Sequence, residues 1–178
     1  SNAAGFSIGN KGYVACGFVT SGSQYKNDLW LYDPLGNTWT QKATLPGMAR
    51  NYCIGFAING KGYVGLGTSA LSNLNDLWEY DPIFDSWLQK ANYGGGLRTK
   101  AVCFVIGNQA YVGTGMNNTT ILTDIWAYDP SLNTWVAKAS FPGIAVQLAS
   151  AFAIGNKGYV GLGTTTTTDM NTIWEYNS

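Results

Sequence analysis

Apolar residues occur along this chain in short runs that turn-forming residues separate. Between residues 49 and 96 there are four such runs, and Asn59-Gly60 between the first two is typical of a type I′ β-hairpin. No stretch of ten or more residues has the 3.6-residue periodicity of a helix. The pattern therefore predicts antiparallel strands over 51–58, 61–67, 77–80 and 87–90.

The same pattern returns every 48 residues. Trp30, Trp78, Trp126 and Trp174 have this spacing, and LWLYDP at 29–34 returns as LWEYDP, as IWAYDP and finally as IWEYNS. A single four-stranded sheet leaves both of its faces open. Four copies of the unit are therefore expected to stack on one another.

The repeat resembles the kelch repeat of β-propellers, in which a Tyr precedes a Trp with six residues between them. The spaced GxG in place of a glycine doublet is similar to a variant of bacterial secreted kelch proteins. The resemblance implies an all-β, kelch-type β-propeller with four blades of antiparallel four-stranded meanders, the last blade lacking its outer strand. The structural landmarks that carry it are Tyr32, Trp39, Tyr80, Trp87, Tyr128 and Trp135.

We interpret residues 1–3 as an expression-tag scar and residues 4–178 as one kelch β-propeller domain or a partial propeller. Three alternatives stay open: a closed four-bladed ring, a truncated piece of a longer propeller, or two half-rings joined in a homo-oligomer. We favour the last, since open blade faces would be large apolar patches. The expected blades are approximately 4–45, 46–93, 94–141 and 142–178.

Composition removes several functions. The chain has no His among 178 residues and a net charge of zero, with ten basic and ten acidic side chains. We therefore expect no nucleic-acid partner, no membrane span, no metal and no cofactor. The resemblance to kelch copper radical oxidases fails because their site requires His ligands. Three cysteines are interpreted as buried free thiols, namely Cys16, Cys53 and Cys103.

The repeat itself explains most of the unusual residues. Nineteen of the 25 aromatic residues lie at repeated positions and are expected to pack between blades. The Asp-Pro pairs are expected to form turns, and the aspartates before each third strand to bind loop backbone. Hairpin-tip lysines are interpreted as solubilising charge. These aspartates and lysines are Asp28, Asp76, Asp124, Lys11, Lys61 and Lys157.

Four off-repeat aromatic residues mark candidate ligand loops. Phe18 and Tyr25 lie in the longest predicted loop, 18–27, between the second and third strands, and Tyr93 and Phe141 lie between blades. In a propeller these two classes of loop open on the same face. Loops on a rigid scaffold commonly carry binding residues. Asn117, in the variable loop 116–123, belongs to the same candidate surface.

Arg50 and Arg98 are the candidate charged ligands. Each stands six residues before the repeated Phe, where the innermost strand begins. One interpretation is that the pair binds a carboxylate or another anion. The other, which we favour, is that they satisfy loop carbonyls around the axis, because the fourth copy has Val146 instead.

Three functions are considered. The first is a non-enzymatic binding module, secreted or on a bacterial cell surface, that contacts a protein or a glycan. The second is a sugar or sugar-acid modifying enzyme, epimerase-like, but its off-pattern carboxylates Asp85 and Asp169 have nothing to bring them together. The third is a purely structural fragment of a larger propeller. We predict the binding module and no catalytic residues.

Overall fold

The computed structural model describes residues 1–177 and contains fifteen β-strands in four antiparallel sheets. Each sheet is one blade, and its strands follow chain order from the propeller axis outward. The strands are β1 (Ala4–Ile8), β2 (Lys11–Val19), β3 (Gln24–Asp33), β4 (Thr38–Lys42), β5 (Ile54–Ile58), β6 (Lys61–Gly65), β7 (Leu77–Asp81), β8 (Ser86–Lys90), β9 (Val102–Ile106), β10 (Gln109–Gly113), β11 (Ile125–Asp129), β12 (Thr134–Lys138), β13 (Ser150–Ile154), β14 (Lys157–Gly161) and β15 (Ile173–Asn177).

The predicted four-bladed, all-β propeller is confirmed, and the fourth blade has three strands over the part of the chain described here. Blade 1 is β1–β4, blade 2 is β5–β8, blade 3 is β9–β12 and blade 4 is β13–β15. The type I′ hairpin is also confirmed, because Asn59 and Gly60 both have positive φ, 52° and 75°. No helix in residues 1–177 is long and apolar enough to cross a membrane.

The spaced GxG forms a tight exit from the second strand of each blade. In blade 2, Leu66 and Gly67 both adopt the left-handed region, with φ of 57° and 93°. A Cβ on Gly67 would lie 2.5 Å from the backbone oxygen of Asn51. Glycine is therefore required at this position by both conformation and space.

Three hydrophobic clusters hold the four blades together, one at each junction between consecutive blades. Within residues 1–177, no cluster joins blade 4 to blade 1. At each junction a stacked Phe–Tyr pair from one blade meets a Tyr of the next, such as Phe56–Tyr63 against Tyr128. Contacts between inner strands follow the same order, β1 with β5, β5 with β9, and β9 with β13.

Packing between blades does not cover all nineteen repeated aromatic residues. Phe104 has only 4% of its surface exposed, whereas its equivalent Phe152 in blade 4 has 46%, and Trp39 in blade 1 has 54%. The prediction is wrong for these residues because each lies on a blade face that no neighbouring blade covers. The repeat therefore fixes the position of a side chain and the neighbour decides its burial.

The loop predicted over 18–27 is instead an extension of the β2–β3 hairpin. Phe18 pairs with Tyr25 and Val19 with Gln24, which leaves only residues 20–23 as the turn. The Phe18 and Tyr25 rings contact edge to face at 4.9 Å. Cross-strand aromatic contact of this kind stabilises a hairpin that projects beyond its sheet.

The polar residues of the outer and hairpin turns are mostly structural. The Asp carboxylates of the Asp-Pro pairs accept backbone N–H groups two residues later, at 3.1 Å for Asp33 and 2.9 Å for Asp81, which confirms their role in turns. The hairpin-tip lysines form ion pairs within their blades rather than standing free. The pairs are Lys11–Asp33, Lys61–Asp81 and Lys157–Glu175.

Candidate functional site

Two classes of loop meet on one face of the propeller, as the sequence predicts. The linker after each outer strand binds the segment before the third strand of the same blade. Backbone N–H groups of Leu45, Tyr93 and Phe141 donate to the oxygens of Asn27, Asn75 and Thr123 at 2.7–2.9 Å. We call the surface formed by these linkers and by the loops between second and third strands the loop face.

The loop face contains three clefts at repeated positions between successive blades. The first, about 430 Å³, is lined by Tyr25, Met48 and Leu71 together with Ser23, Gln24, Ala49, Ser69 and Ala70. The second, also about 430 Å³, lies between 95–97 and 117–119, and the third, about 350 Å³, between 119–121, 144–145 and 165–166. No lining residue of any of the three is charged.

The first cleft has the most developed apolar surface. Both Leu71 and Met48 line the cleft, and Leu71 has 80% of its surface exposed while Met48 is half exposed. Tyr25 is held by Phe18 in the hairpin extension. The cleft thus presents an aromatic ring and two apolar side chains beside hydroxyl and amide groups.

Asn117, a ligand-face candidate from the sequence, lines the second cleft, but its side-chain oxygen already accepts hydrogen bonds. It accepts the backbone N–H groups of Thr119 at 2.9 Å and Thr120 at 2.7 Å. This is an Asx turn, which shapes the loop. Asn117 therefore lines the cleft mainly as a loop-forming residue.

Tyr93 and Phe141 are not part of an exposed ligand surface. Both are buried, Tyr93 in the cluster between blades 2 and 3 and Phe141 in the cluster between blades 3 and 4. The Tyr93 hydroxyl donates to the Val112 oxygen at 3.2 Å, and burial raises the pKa of Tyr93. Their assignment as ligand residues is wrong because the linkers turn these rings inward beneath the loop face.

Arg50 is fully buried and holds the loop face from below. Its guanidinium donates two hydrogen bonds to the Asp76 carboxylate at 2.5 and 2.7 Å, and others to the oxygens of Met48 and Leu66. Burial by itself would raise the pKa of Asp76, but the hydrogen bond and charge of Arg50 outweigh it and keep that pKa below its usual value. Arg50 is therefore not free to bind an anion.

Arg98 repeats this arrangement in blade 3. It donates to Asp124 at 2.7 and 2.9 Å and to the oxygens of Thr114 and Gly95 at 2.8 and 3.0 Å. The Tyr93 ring lies 5.3 Å from its guanidinium carbon. Of the two interpretations offered for the arginines, the one in which they satisfy loop carbonyls matches this geometry.

The aspartates before the third strands bind side chains rather than loop backbone. Besides their arginines, Asp76 and Asp124 accept the indole N–H groups of Trp78 and Trp126 at 2.7 and 3.0 Å. Asp28 accepts the indole N–H of Trp30 at 2.8 Å. The prediction that these aspartates bind loop backbone is therefore wrong. Their carboxylates instead point towards guanidinium and indole donors.

A smaller cavity, which we did not predict from the sequence, lies at the propeller axis. It measures about 210 Å³, and Tyr52, Lys100 and Leu148 lie at equivalent positions in its wall. The Lys100 amine lies 5.4 Å from the Tyr52 ring centre and 3.2 Å from Oε1 of Gln147. The position four residues before the repeated Phe holds Asn2, Tyr52, Lys100 and Leu148 in the four copies, so the wall of this cavity carries a different side chain from each blade.

These three axial residues also link the blades through their backbones. Each has positive φ, between 51° and 56°. Leu148 N–H donates to the Lys100 oxygen, Lys100 N–H to the Tyr52 oxygen and Tyr52 N–H to the Asn2 oxygen, at 3.0–3.3 Å. Residues 1–3, which we set aside from the fold, therefore take part in the same series.

The two carboxylates that stand outside the repeat pattern, Asp85 and Asp169, lie in different blades. Residues 1–177 contain no group of three or more His, Cys, Asp or Glu side chains that could hold a metal ion. Asp85 lies in the β7–β8 turn and binds Tyr80, the Ala43 backbone and Lys42. Asp169 lies in the β14–β15 loop of another blade.

Comparison with known families agrees with the geometry of the blades. The sequence model of the kelch motif matches residues 1–46 and 97–142, more than half of the chain. The chain belongs to the kelch repeat family. A search of curated proteins finds no match.

Among solved structures, the kelch chain is similar to one described as the structure of YjhT, with a TM-score of 0.80 and 18% sequence identity. The match covers 92% of this chain and 59% of that one. The kelch chain therefore spans about three fifths of the length of this neighbour. At this identity the likeness shows a shared fold.

Proposed function

We propose that this kelch propeller is a non-enzymatic binding module that contacts a protein or a glycan through the clefts of its loop face. The observation that carries the proposal is the threefold recurrence of an uncharged cleft between successive blades. Concave sites with apolar walls and a few polar groups are typical of ligand recognition. Because the cleft recurs, one extended ligand can contact several clefts at once.

The first cleft is the strongest of the three as a binding site. Tyr25 offers a ring against which an apolar sugar face or an aromatic side chain can pack, and Ser23, Gln24 and Ser69 offer hydrogen-bonding groups. Arg50 donates to the Met48 oxygen at 2.9 Å and so fixes the backbone of one residue that lines the cleft. A lining segment held in place by the Arg50–Asp76 ion pair reduces the ordering cost of binding.

A sugar-acid modifying activity is the second candidate, and the axial cavity is the observation that favours it. Lys100 and Tyr52 place an amine and a phenol together there. The amine could bind a carboxylate, but the cavity has no acidic side chain in its wall to serve as a partner base. We therefore propose binding as the first function and catalysis as the second. We also propose an extracellular or cell-surface location, because the spaced GxG is similar to a variant of bacterial secreted kelch proteins.

A glycan and peptide array with the purified chain tests the proposal. We expect a ligand whose binding weakens about tenfold or more with Tyr25→Ala and with Leu71→Ser. Ile83→Ser is the matched control, because Ile83 is equally exposed but lies in the outer β7–β8 turn. A ligand that binds equally to all three variants, or turnover of a sugar acid that Lys100→Met abolishes, would contradict the binding proposal.

A further inference from the structure

Every blade has two chemically different faces. The forward face, which meets the next blade along the chain, carries the repeated Phe stacked on a Tyr, such as Phe104–Tyr111. The backward face carries a small residue and, on the neighbouring strands in register with it, a Tyr and a Trp. In blade 2 these are Gly62, Tyr80 and Trp87.

The small residue leaves space for the Phe ring of the preceding blade, and we call this space the seat. A Cβ on Gly62 would overlap the Phe6 ring, and a Cβ on Gly158 would overlap the Phe104 ring. At the middle junction, Phe56 and Ala110 lie in one buried cluster. The molecule therefore makes the same contact at each of its three junctions.

Two faces lack this contact within residues 1–177. The forward face of blade 4 exposes Phe152, Ile154 and Ile173, although Phe152 stacks on Tyr159 at 5.2 Å as in the other blades. The backward face of blade 1 exposes Trp39 and has an empty seat at Gly12. The nearest atom to a Cβ built on Gly12 is the Tyr32 Cβ, at 3.8 Å.

We propose that a second copy of this chain covers both faces. The forward face of blade 4 in each chain docks on the backward face of blade 1 in the other, with Phe152 seated over Gly12. Two such contacts related by a twofold axis leave neither face open. The inference concerns the blade faces alone and does not depend on a ligand at the loop face.

A second copy fits better than an unrelated partner for two reasons. It presents both the Phe and the small residue that the internal junctions use, so the contact extends a type of interface that this molecule already makes three times. It also requires no unpaired charge to be buried. On blade 4, Lys157 and Glu175 already pair at 2.7 Å, and the exposed residues of the blade 1 face are uncharged.

Light scattering after size exclusion, over a range of concentrations, tests the proposal. We expect a species of twice the 19.1 kDa chain mass that dissociates on dilution. Phe152→Asp and Gly12→Leu should each weaken dimerisation at least about tenfold. Gly12→Leu tests the contact more directly. A Cβ at position 12 meets no close atom in the single chain, but the leucine side chain would occupy the space that Phe152 of the second copy needs.

Ile83→Asp is the matched control, since it places a charge on an exposed apolar residue away from both faces and should leave the mass unchanged. Circular dichroism verifies that each variant is folded, and the tryptophan fluorescence, to which exposed Trp39 contributes, should shift to shorter wavelength on association. A 19.1 kDa species at every concentration would overturn the proposal and leave the faces to blades of other sequence. An open-ended ladder of masses, or a dimer that neither variant weakens, would also overturn it.

Discussion

The two inner blades and the two terminal blades are built from the same repeat but differ in what surrounds them. Phe104, in inner blade 3, is almost completely buried, whereas Phe152, at the same repeat position in terminal blade 4, is half exposed. Trp87 and Trp135 donate to the Ala43 and Ala91 oxygens of the preceding blade, at 2.7 and 3.0 Å. The comparison shows that the contribution of a repeat residue to the free energy of unfolding depends on its contact with the adjacent blade.

Truncating the repeated Phe gives the largest difference between the two classes of blade. We expect Phe104→Ala to lower the free energy of unfolding by about 4 kcal/mol, because it leaves a cavity in a packed junction. Phe152→Ala should lower it by about 1 kcal/mol or less at protein concentrations where the chain is monomeric. Urea unfolding measures both, and similar losses would contradict the comparison.

The ion pair of blades 2 and 3 can be moved into blade 4. Val146 and Thr172 stand where blade 3 has Arg98 and Asp124. We expect Val146→Arg alone to lower the free energy of unfolding by about 3 kcal/mol, because Val146 is buried and the new charge has no partner. Adding Thr172→Asp should restore about 1–2 kcal/mol of this loss. A double variant no more stable than the single one would show that blade 4 cannot hold the pair.

The buried ion pair of blade 2 should make the free energy of unfolding depend on pH. Arg50 keeps the pKa of Asp76 below its usual value despite burial. Ionised Asp76 therefore stabilises the folded state above its unfolded pKa of about 3.9. This stabilisation is lost as the pH falls through the lower pKa of the folded state. We expect Arg50→Leu to be less stable than the parent at neutral pH and to lose less stability on acidification. Urea midpoints measured from neutral to strongly acidic pH test this, and parallel curves would contradict it.

The smallest expected effect concerns the outer tryptophans. Trp87→Phe removes the hydrogen bond to the Ala43 oxygen and should lower the free energy of unfolding by about 1 kcal/mol. Trp39→Phe should stay within about 0.5 kcal/mol in the monomer, because Trp39 is exposed. Chemical denaturation of both variants at low concentration compares them directly, and equal losses would mean that Trp39 has a partner in the monomer.

The fold could be predicted because a 48-residue period fixes strand number, order and face at once. The 48-residue period also extends to the linkers between blades. Leu45, Tyr93 and Phe141 are themselves 48 residues apart and share one buried position, so Tyr93 and Phe141 are not off-repeat residues at all. An apolar residue in every copy of a linker indicates core rather than ligand surface.

The buried ion pairs left a similar trace. Arg50 and Asp76 are 26 residues apart, as are Arg98 and Asp124, and in the fourth copy both members of the pair are replaced together. Simultaneous loss indicates contact.

By contrast, the clefts could not be predicted, because they depend on how loops of different sequence, such as 68–75 and 116–123, lie beside their linkers.

The row of three clusters has a consequence for how the single chain opens. Among residues 1–177, blades 2 and 3 are each held on both faces and blades 1 and 4 on one, so opening a terminal blade disrupts one cluster and leaves two intact. Hydrogen exchange should therefore proceed in stages, with amides of β13–β15 exchanging early and those of β5–β12 last. The chain should lose its blades one at a time from the ends, in the manner of a short stack rather than of a closed shell.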